Sequence, residues 1–287
     1  MENPLDYAWF WLLANAGEVR DLLIAFAAAC IGPYLGYRAY VARRLVAARQ
    51  RTAEATELGK SAEIMAAAFA GLGGLEIHTR VGAIYTLERH ARDRPTDQGP
   101  IVQTLAAFVR ERCPAPVPKL VGGSYQNPSP EAIYVPPATD IQAAVTVLGR
   151  RERANDPPNT RLSLACVNLS GYDLSDGDFT GTSFRGAYLC ATNFAGAKVM
   201  RGDFQLAMLE SADFYNAKAQ EASFSAAYCG QTRFAHCDLT GARFVESDLR
   251  DADFTGATLQ RADLAGAALD GAKIEPRALP KPRSTDA

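Results

Sequence analysis

From Leu164 to Ile274 every fifth residue is a core candidate, and the register holds without a slip through 23 consecutive repeats. A period of five fits neither a strand, whose side chains alternate with period two, nor an α-helix, with its period of 3.6. Strict repetition at fixed spacing marks a solenoid, in which each repeat packs on its neighbours in sequence. The residues in register are nearly all Leu or Phe, and the position two before each is nearly always Ala or another small residue. A polar residue often stands between them, as in Ala212-Asp213-Phe214, Ala252-Asp253-Phe254 and Ala262-Asp263-Leu264.

The motif, roughly A-(D/N)-(L/F)-x-x over about residues 162–275, resembles that of the pentapeptide-repeat family. The resemblance implies a right-handed quadrilateral β-helix with four repeats per coil. A ten-residue alternation supports four sides independently, because Phe184, Phe204, Phe224 and Phe244 then line a first wall and Phe194, Phe214, Phe234 and Phe254 a second, opposite one. Leu169, Leu189, Leu209, Leu249 and Leu269, interrupted by Cys229, fill a third wall. Phe179, Val199, Ala219, Leu239 and Leu259 make the fourth. At the ~4.8 Å separation of adjacent strands the rings of one column come within stacking range, and the rod stands roughly 27 Å tall. Ala219 is undersized for its column, so Ala219→Leu is expected to be tolerated or stabilising.

The N-terminal region has a different pattern. Leu22–Tyr37 is uncharged, with Phe26, Ile31 and Pro33 along it, and both tryptophans, Trp9 and Trp11, precede it. Arg38, Arg43, Arg44, Arg49 and Arg51 follow, while Glu2, Asp6, Glu18, Arg20 and Asp21 lead. These features predict a membrane segment over residues 1–42. The charge asymmetry orients it as a single pass with the amino terminus outside and the remainder cytoplasmic, in the cell membrane. An acidic leading end and the absence of a small-residue cleavage site exclude a signal peptide.

Residues 43–151 read as a helical module. Val41–Leu72 is rich in Ala, Arg, Glu and Leu without proline, and predicts one long helix or two collinear ones. Apolar spacing predicts further helices over Thr79–Asp93, Gly99–Cys113 and Asp140–Leu148, the last capped by Thr139 or Asp140 and stopped by Gly149. Arg80-VGAIYTLE-Arg89, Val102-QTLAAFVR-Glu111 and Asp140-IQAAVTVLGR-Arg151, directly before the repeats, resemble a group of bacterial membrane-associated pentapeptide-repeat proteins with an N-terminal helical, HEAT-like region. His90 and Arg94 depart from that pattern, and the group supplies no common activity to carry over. The fold class is therefore an α + β solenoid: a helical region with a transmembrane helix, then a quadrilateral β-helix, then a disordered tail over 276–287.

No chemistry-bearing constellation emerges. The six cysteines are scattered without a C-x-x-C pair, the three histidines stand apart, and Gly71-Leu-Gly-Gly74 lacks the Lys-Ser/Thr of a phosphate loop. No catalytic, cofactor-binding or metal-ligating residue is assigned, and the chain reads as a non-enzyme. Residues 161–275 carry 15 acidic and 10 basic residues. Relatives of the fluoroquinolone-resistance type imply an acidic DNA mimic that binds gyrase. Here Lys198, Arg201, Lys218, Arg233, Arg243 and Arg261 interrupt such a track, and no nucleic-acid partner is expected.

One outward column stands out on the third wall: Asn168, Tyr188, Met208, Tyr228, Asp248. Tyr188, Met208 and Tyr228 with Leu206, and Met200 nearby, predict an apolar strip that serves either as a contact surface or as packing for the helical module or tail. The sequence reads best as a membrane-anchored, non-catalytic scaffold for a protein partner, with self-association as a further interaction. Alternatives are the gyrase-type mimic and a membrane-acting effector or enzyme active through the helical region.

Overall fold

The computed structural model describes residues 16–116, 119–121, 124–126, 136–158 and 160–275. Trp9, Trp11 and the tail 276–287 lie outside the described residues. Two compact units divide the chain, Met1–Glu63 and Ile64–Ala287.

Helix α1 spans Ala16–Leu72 as one element. Among the described residues no helix is long and apolar enough to cross a membrane, which overturns the span expected at Leu22–Tyr37. The side chains of Leu22, Phe26, Ile31, Pro33 and Tyr37 are themselves outside the described residues. The physical reason is length and charge. Sixteen uncharged residues rise only about 24 Å in a helix, short of the ~30 Å of bilayer hydrocarbon, and Arg38 follows at once. The single-pass topology, with its outside amino terminus and cytoplasmic domains, falls with it.

The second unit opens with the end of α1, where Ala68 and Leu72 are buried in a core shared with three further helices. These are α2 (Ile77–Asp93), α3 (Gln98–Arg112, after a 3₁₀ turn at Pro95–Asp97) and α4 (Thr139–Arg150). Ile84, Leu87, Ile101, Leu105, Val109, Val145 and Leu148 form its centre, at the helical spacing read from the sequence. A short hairpin pairs β1 (Lys119–Val121) with β2 (Ser124–Gln126). Asp140 does not cap α4: Ala138 holds the cap position without a side-chain bond. Asp140 is instead buried and receives Arg80 Nε at 2.6 Å, while Arg80 Nη1 also donates to the carbonyls of Gly74 and Leu75. Glu88 does more than form an i,i+4 pair with Arg92, since it takes two hydrogen bonds from Arg150 at 2.6 and 2.8 Å and so ties α2 to α4.

The repeats form the solenoid with the twenty-residue coil expected. Bridges pair each outward residue with the one twenty positions on, from Ser163 with Ser183 through to Asp253 with Lys273, all parallel. Central amides donate forward, as Phe214 N to Arg233 O at 2.8 Å, and the preceding residue donates backward, as Lys218 N to Ala197 O at 2.8 Å. The Phe columns stack, with Phe204 at 5.0 Å from Phe184 and 4.9 Å from Phe224, and meet the other Phe column edge to face. Ala219 is fully buried between Val199 and Leu239 of its column.

Two local rules explain the rest of the motif. Each repeat ends in a turn whose third residue has φ between +53° and +77°, and fourteen of these are not glycine. None is β-branched, because a branched side chain tolerates the left-handed region worst. The Asp or Asn before the central residue accepts a bond from the amide two residues on: Asp203 Oδ1 from Gln205 N, Asp213 from Tyr215, Asp253 from Thr255. Thr255 also donates its hydroxyl to Asp253, and these bonds hold that carboxyl below its ordinary pKa.

Candidate interaction surface

The third-wall column assembles as predicted in register, since Asn168, Tyr188, Met208, Tyr228 and Asp248 are bridged in sequence along the rod. Tyr188, Met208 and Tyr228 are the large apolar residues at a position that elsewhere holds Asp, Asn, Ser, Thr, Ala, Lys or Arg. They cannot supply the acceptor that Asp or Asn gives to the following turn. The column therefore forgoes a local stabilising bond over three successive coils.

Burial grades along it. Tyr188 is only 5% exposed, and burial pushes its phenol up, helped by Cys190 and Tyr228 beside it. Cys190 is buried too, and burial raises its thiol. Met208 is half-buried, Tyr228 is 44% exposed, and Leu206 is 51% exposed at the adjoining corner of the first wall. The accessible strip is thus Leu206, Met208 and Tyr228, with Tyr188 buried at its end. Met200 is not part of it: it follows Val199 of the fourth wall, across the core from the third.

A second cluster was missed by the sequence reading. On the second wall the Arg233 guanidinium lies 4.3 Å over the Tyr215 ring, His236 meets the same ring at 5.5 Å, and Arg233 Nη1 is 3.3 Å from Asp213 Oδ2. Writing out the outward columns of all four walls, rather than the third alone, finds it.

The first coil is covered by the helical module. Asp178 N donates to Gly149 O at 2.6 Å, in the last turn of α4, and Arg151 Nη1 reaches both Leu148 O and Asp178 O. Gln142 and Asp173 exchange two bonds, Arg110 donates to Ser163 O, and Asn168 N donates to Cys113 O at 2.7 Å. Phe179 packs so closely on Gly149 that a Cβ there would lie 2.9 Å from the ring. This cap uses α4 and the Cys113–Ala115 segment, where Pro114 bridges Val167.

A cleft of about 330 Å³ lies at that junction, lined by Arg80, Arg112, Cys113, Asp140, Asn168 and Tyr172 among others. Its polar groups are engaged with the protein itself. Arg80 and Asp140 satisfy each other, and Tyr172 Oη accepts from Ala138 N at 2.9 Å. Burial pushes the Tyr172 phenol up to about 12 and also raises the Cys113 thiol. Burial likewise raises the thiols of Cys229 and Cys237 in the solenoid core. His90 is buried against Asp97, with Nε2 to Oδ2 at 2.9 Å, and this contact holds Asp97 below its usual range. Among the described residues no three His, Cys, Asp or Glu side chains converge as metal ligands would.

Comparison with known proteins places the repeats. Residues 168–205 match the family model for pentapeptide repeats (8 copies), and residues 207–280 match that for the pentapeptide repeat region. No curated protein matches the chain. Among solved structures, HetL, a pentapeptide repeat protein involved in heterocyst differentiation regulation from the cyanobacterium Nostoc, is 21% identical with a TM-score of 0.27. That match covers 39% of this chain and 65% of HetL, just under two thirds of its length. A pentapeptide repeat protein from the thylakoid lumen of Arabidopsis thaliana is 26% identical over 38% of this chain and 70% of its own, with a TM-score of 0.23. QnrB1, a plasmid-mediated fluoroquinolone resistance protein, is 18% identical over 41% of this chain and 84% of its own, with a TM-score of 0.20.

Proposed function

Residues 168–205 and 207–280 match pentapeptide-repeat models, and from that premise we propose that the chain acts as a non-catalytic scaffold whose solenoid docks a protein partner on the strip Leu206–Met208–Tyr228. The observation that carries this reading is the exchange made along the strip. Three successive coils carry Tyr, Met and Tyr at a position that is otherwise small, polar or charged and in ten repeats is an Asp or Asn, and two large apolar side chains, Leu206 and Tyr228, stand in water. Sequences depart from local consistency where function demands it, and amphipathic aromatic side chains with Met are enriched at the centres of protein interfaces. The helical module serves this reading as a cap that fixes the first coils and thereby the geometry of the strip. Charge mimicry of DNA has less support, because Lys198 pairs with Asp178, Arg201 with Glu221 and Arg233 with Asp213, each across adjacent coils.

The test separates binding from folding. In the triple variant Leu206→Asn, Met208→Asn, Tyr228→Asn, each replacement suits its backbone: Asn tolerates the left-handed corner at 206 and supplies the turn acceptor at 208 and 228. The variant is expected to melt at or above the wild-type temperature and to lose the proteins that wild type retains from an extract of its native cells. Equal retention by both would refute the assignment.

A further inference from the structure

The docking strip has its own complement on the same wall, one coil away. At the corner beside it successive coils carry Gly186, Leu206, Ala226 and Glu246, each at the positive-φ position of its turn. Next to these on the third wall stand Tyr188, Met208, Tyr228 and Asp248, bridged in that order. Leu206 is large and exposed, whereas Ala226 is small and half-buried. Charge is spread unevenly over the same surface. From the coil of Gly186 through that of Ala226, this corner and the third wall hold one ion, Glu210, while the next coil holds Glu246, Asp248, Arg250 and Asp251. Arg250 is engaged by Asp248. Arg185, beside Gly186, is exposed and donates to a neutral partner, Gln205 Oε1, at 2.8 Å. Among the described residues the ion pairs within the solenoid are made by Lys198, Arg201, Arg233 and Arg250, and they leave out both Arg185 and the exposed Glu246.

We infer that the partner docked on the strip is a second copy of this chain, the two rods lying antiparallel with their third walls face to face. This rests on the docking role proposed above for the strip. A two-fold axis across the rods, midway between the coils of Met208 and Tyr228, sets each column against itself in reverse order, an isologous contact that closes as a dimer. Leu206 then faces Ala226 of the other copy, and Met208 faces Tyr228. The acidic coil of Glu246 and Asp248 falls on the uncharged coil of Gly186. Arg185 comes beside Glu246 of the other copy, and symmetry makes that ion pair twice, at the two ends of an apolar centre. Parallel rods would instead lay the acidic coil on its own counterpart and crowd Glu246, Asp248 and Asp251 of both copies together. One wall about 27 Å tall and about 10 Å across offers roughly 300 Å² per copy, against the ~800 Å² of a standard interface. The pair is accordingly weak and forms at high local concentration.

The test uses the full-length chain at up to about 1 mM, the weak end of the usual affinity scale. Unlabelled Tyr228→benzoylphenylalanine protein is mixed with isotope-labelled wild type and irradiated, so that links between copies differ in mass from links within one chain. The expected product has the doubled mass and joins position 228 to the labelled peptide that contains Met208. Arg185→Glu or Glu246→Arg, present in both copies, is expected to lower its yield by about fivefold, because two exposed ion pairs become repulsive. Mixing Arg185→Glu protein with Glu246→Arg protein is expected to restore the yield. No product of doubled mass, a link to a different coil, or a yield that ignores both charge reversals would each overturn the pairing. An adduct with another protein in the native cells, and none of doubled mass, would overturn it while leaving the strip a docking surface. Absence of any adduct from position 228 would overturn both.

Discussion

At the scale of single residues, the repeat is a set of solutions to backbone problems. The small residue two before each core position leaves room for the adjoining ring, as Gly202 does beside Phe204. Thr192 and Thr232 at this position spend their hydroxyls on the backbone, on Leu169 O and Leu209 O, both at 2.8 Å, whereas the buried Thr182 hydroxyl has no partner. The Asp or Asn serves the turn amide, and the turn residue is whatever tolerates positive φ. Tyr172 is the exception, an aromatic at the small position whose hydroxyl leaves the core to meet the helical cap. Its raised pKa has a consequence for stability. A tyrosine that titrates at about 10 when unfolded and at about 12 when folded lets the unfolded chain lose its proton first. Its contribution is complete below pH ~10 and declines as pH rises through 12. The alkaline fall in stability is expected to be steeper in wild type than in Tyr172→Phe, as read by denaturation at successive pH values alongside tyrosinate absorbance. Identical pH profiles would argue against the buried phenol.

At the scale of elements, the junction between α4 and the first coil is where the helices and the solenoid become one folded unit. An open β-helix end exposes strand edges, and here Gly149, Cys113 and Ala115 supply backbone partners to that edge. Gly149→Ala is expected to force apart the contact with Phe179 and to cost about 1–3 kcal/mol, the usual range for overpacking. Hydrogen exchange locates the effect: the Asp178 amide should lose protection while the Lys218 amide, two coils on, keeps it. Loss of protection at both, or at neither, would contradict the cap. Little of this junction was legible in sequence. Helices α2, α3 and α4 were, because apolar residues at 3.6 spacing report burial directly. Asp140 was misread as a cap because its true partner, Arg80, is sixty residues away, and no local pattern records that pairing. The apolar run in α1 was misread for the opposite reason, since local composition alone suggested a span that its length and Arg38 do not support.

At the scale of the whole molecule, the solenoid was almost wholly legible, down to the membership of each wall, because a period of five leaves one arrangement of the core. The candidate site was legible in part. Its residues and their stacking followed from the register, but the burial of Tyr188 and the placement of Met200 on the far wall depend on what surrounds the rod and on which side each wall faces. What remains exposed, Leu206 through Tyr228, gives the rod one apolar side among faces of mixed charge. The most direct test of that sidedness is photocross-linking in the native cells from two positions of the same rod. Tyr228→benzoylphenylalanine places the reactive ring on the strip, and Thr255→benzoylphenylalanine places it on the exposed second wall. The account predicts a discrete adduct from position 228 that is absent from position 255. The same adduct from both positions, or from position 255 alone, would contradict it.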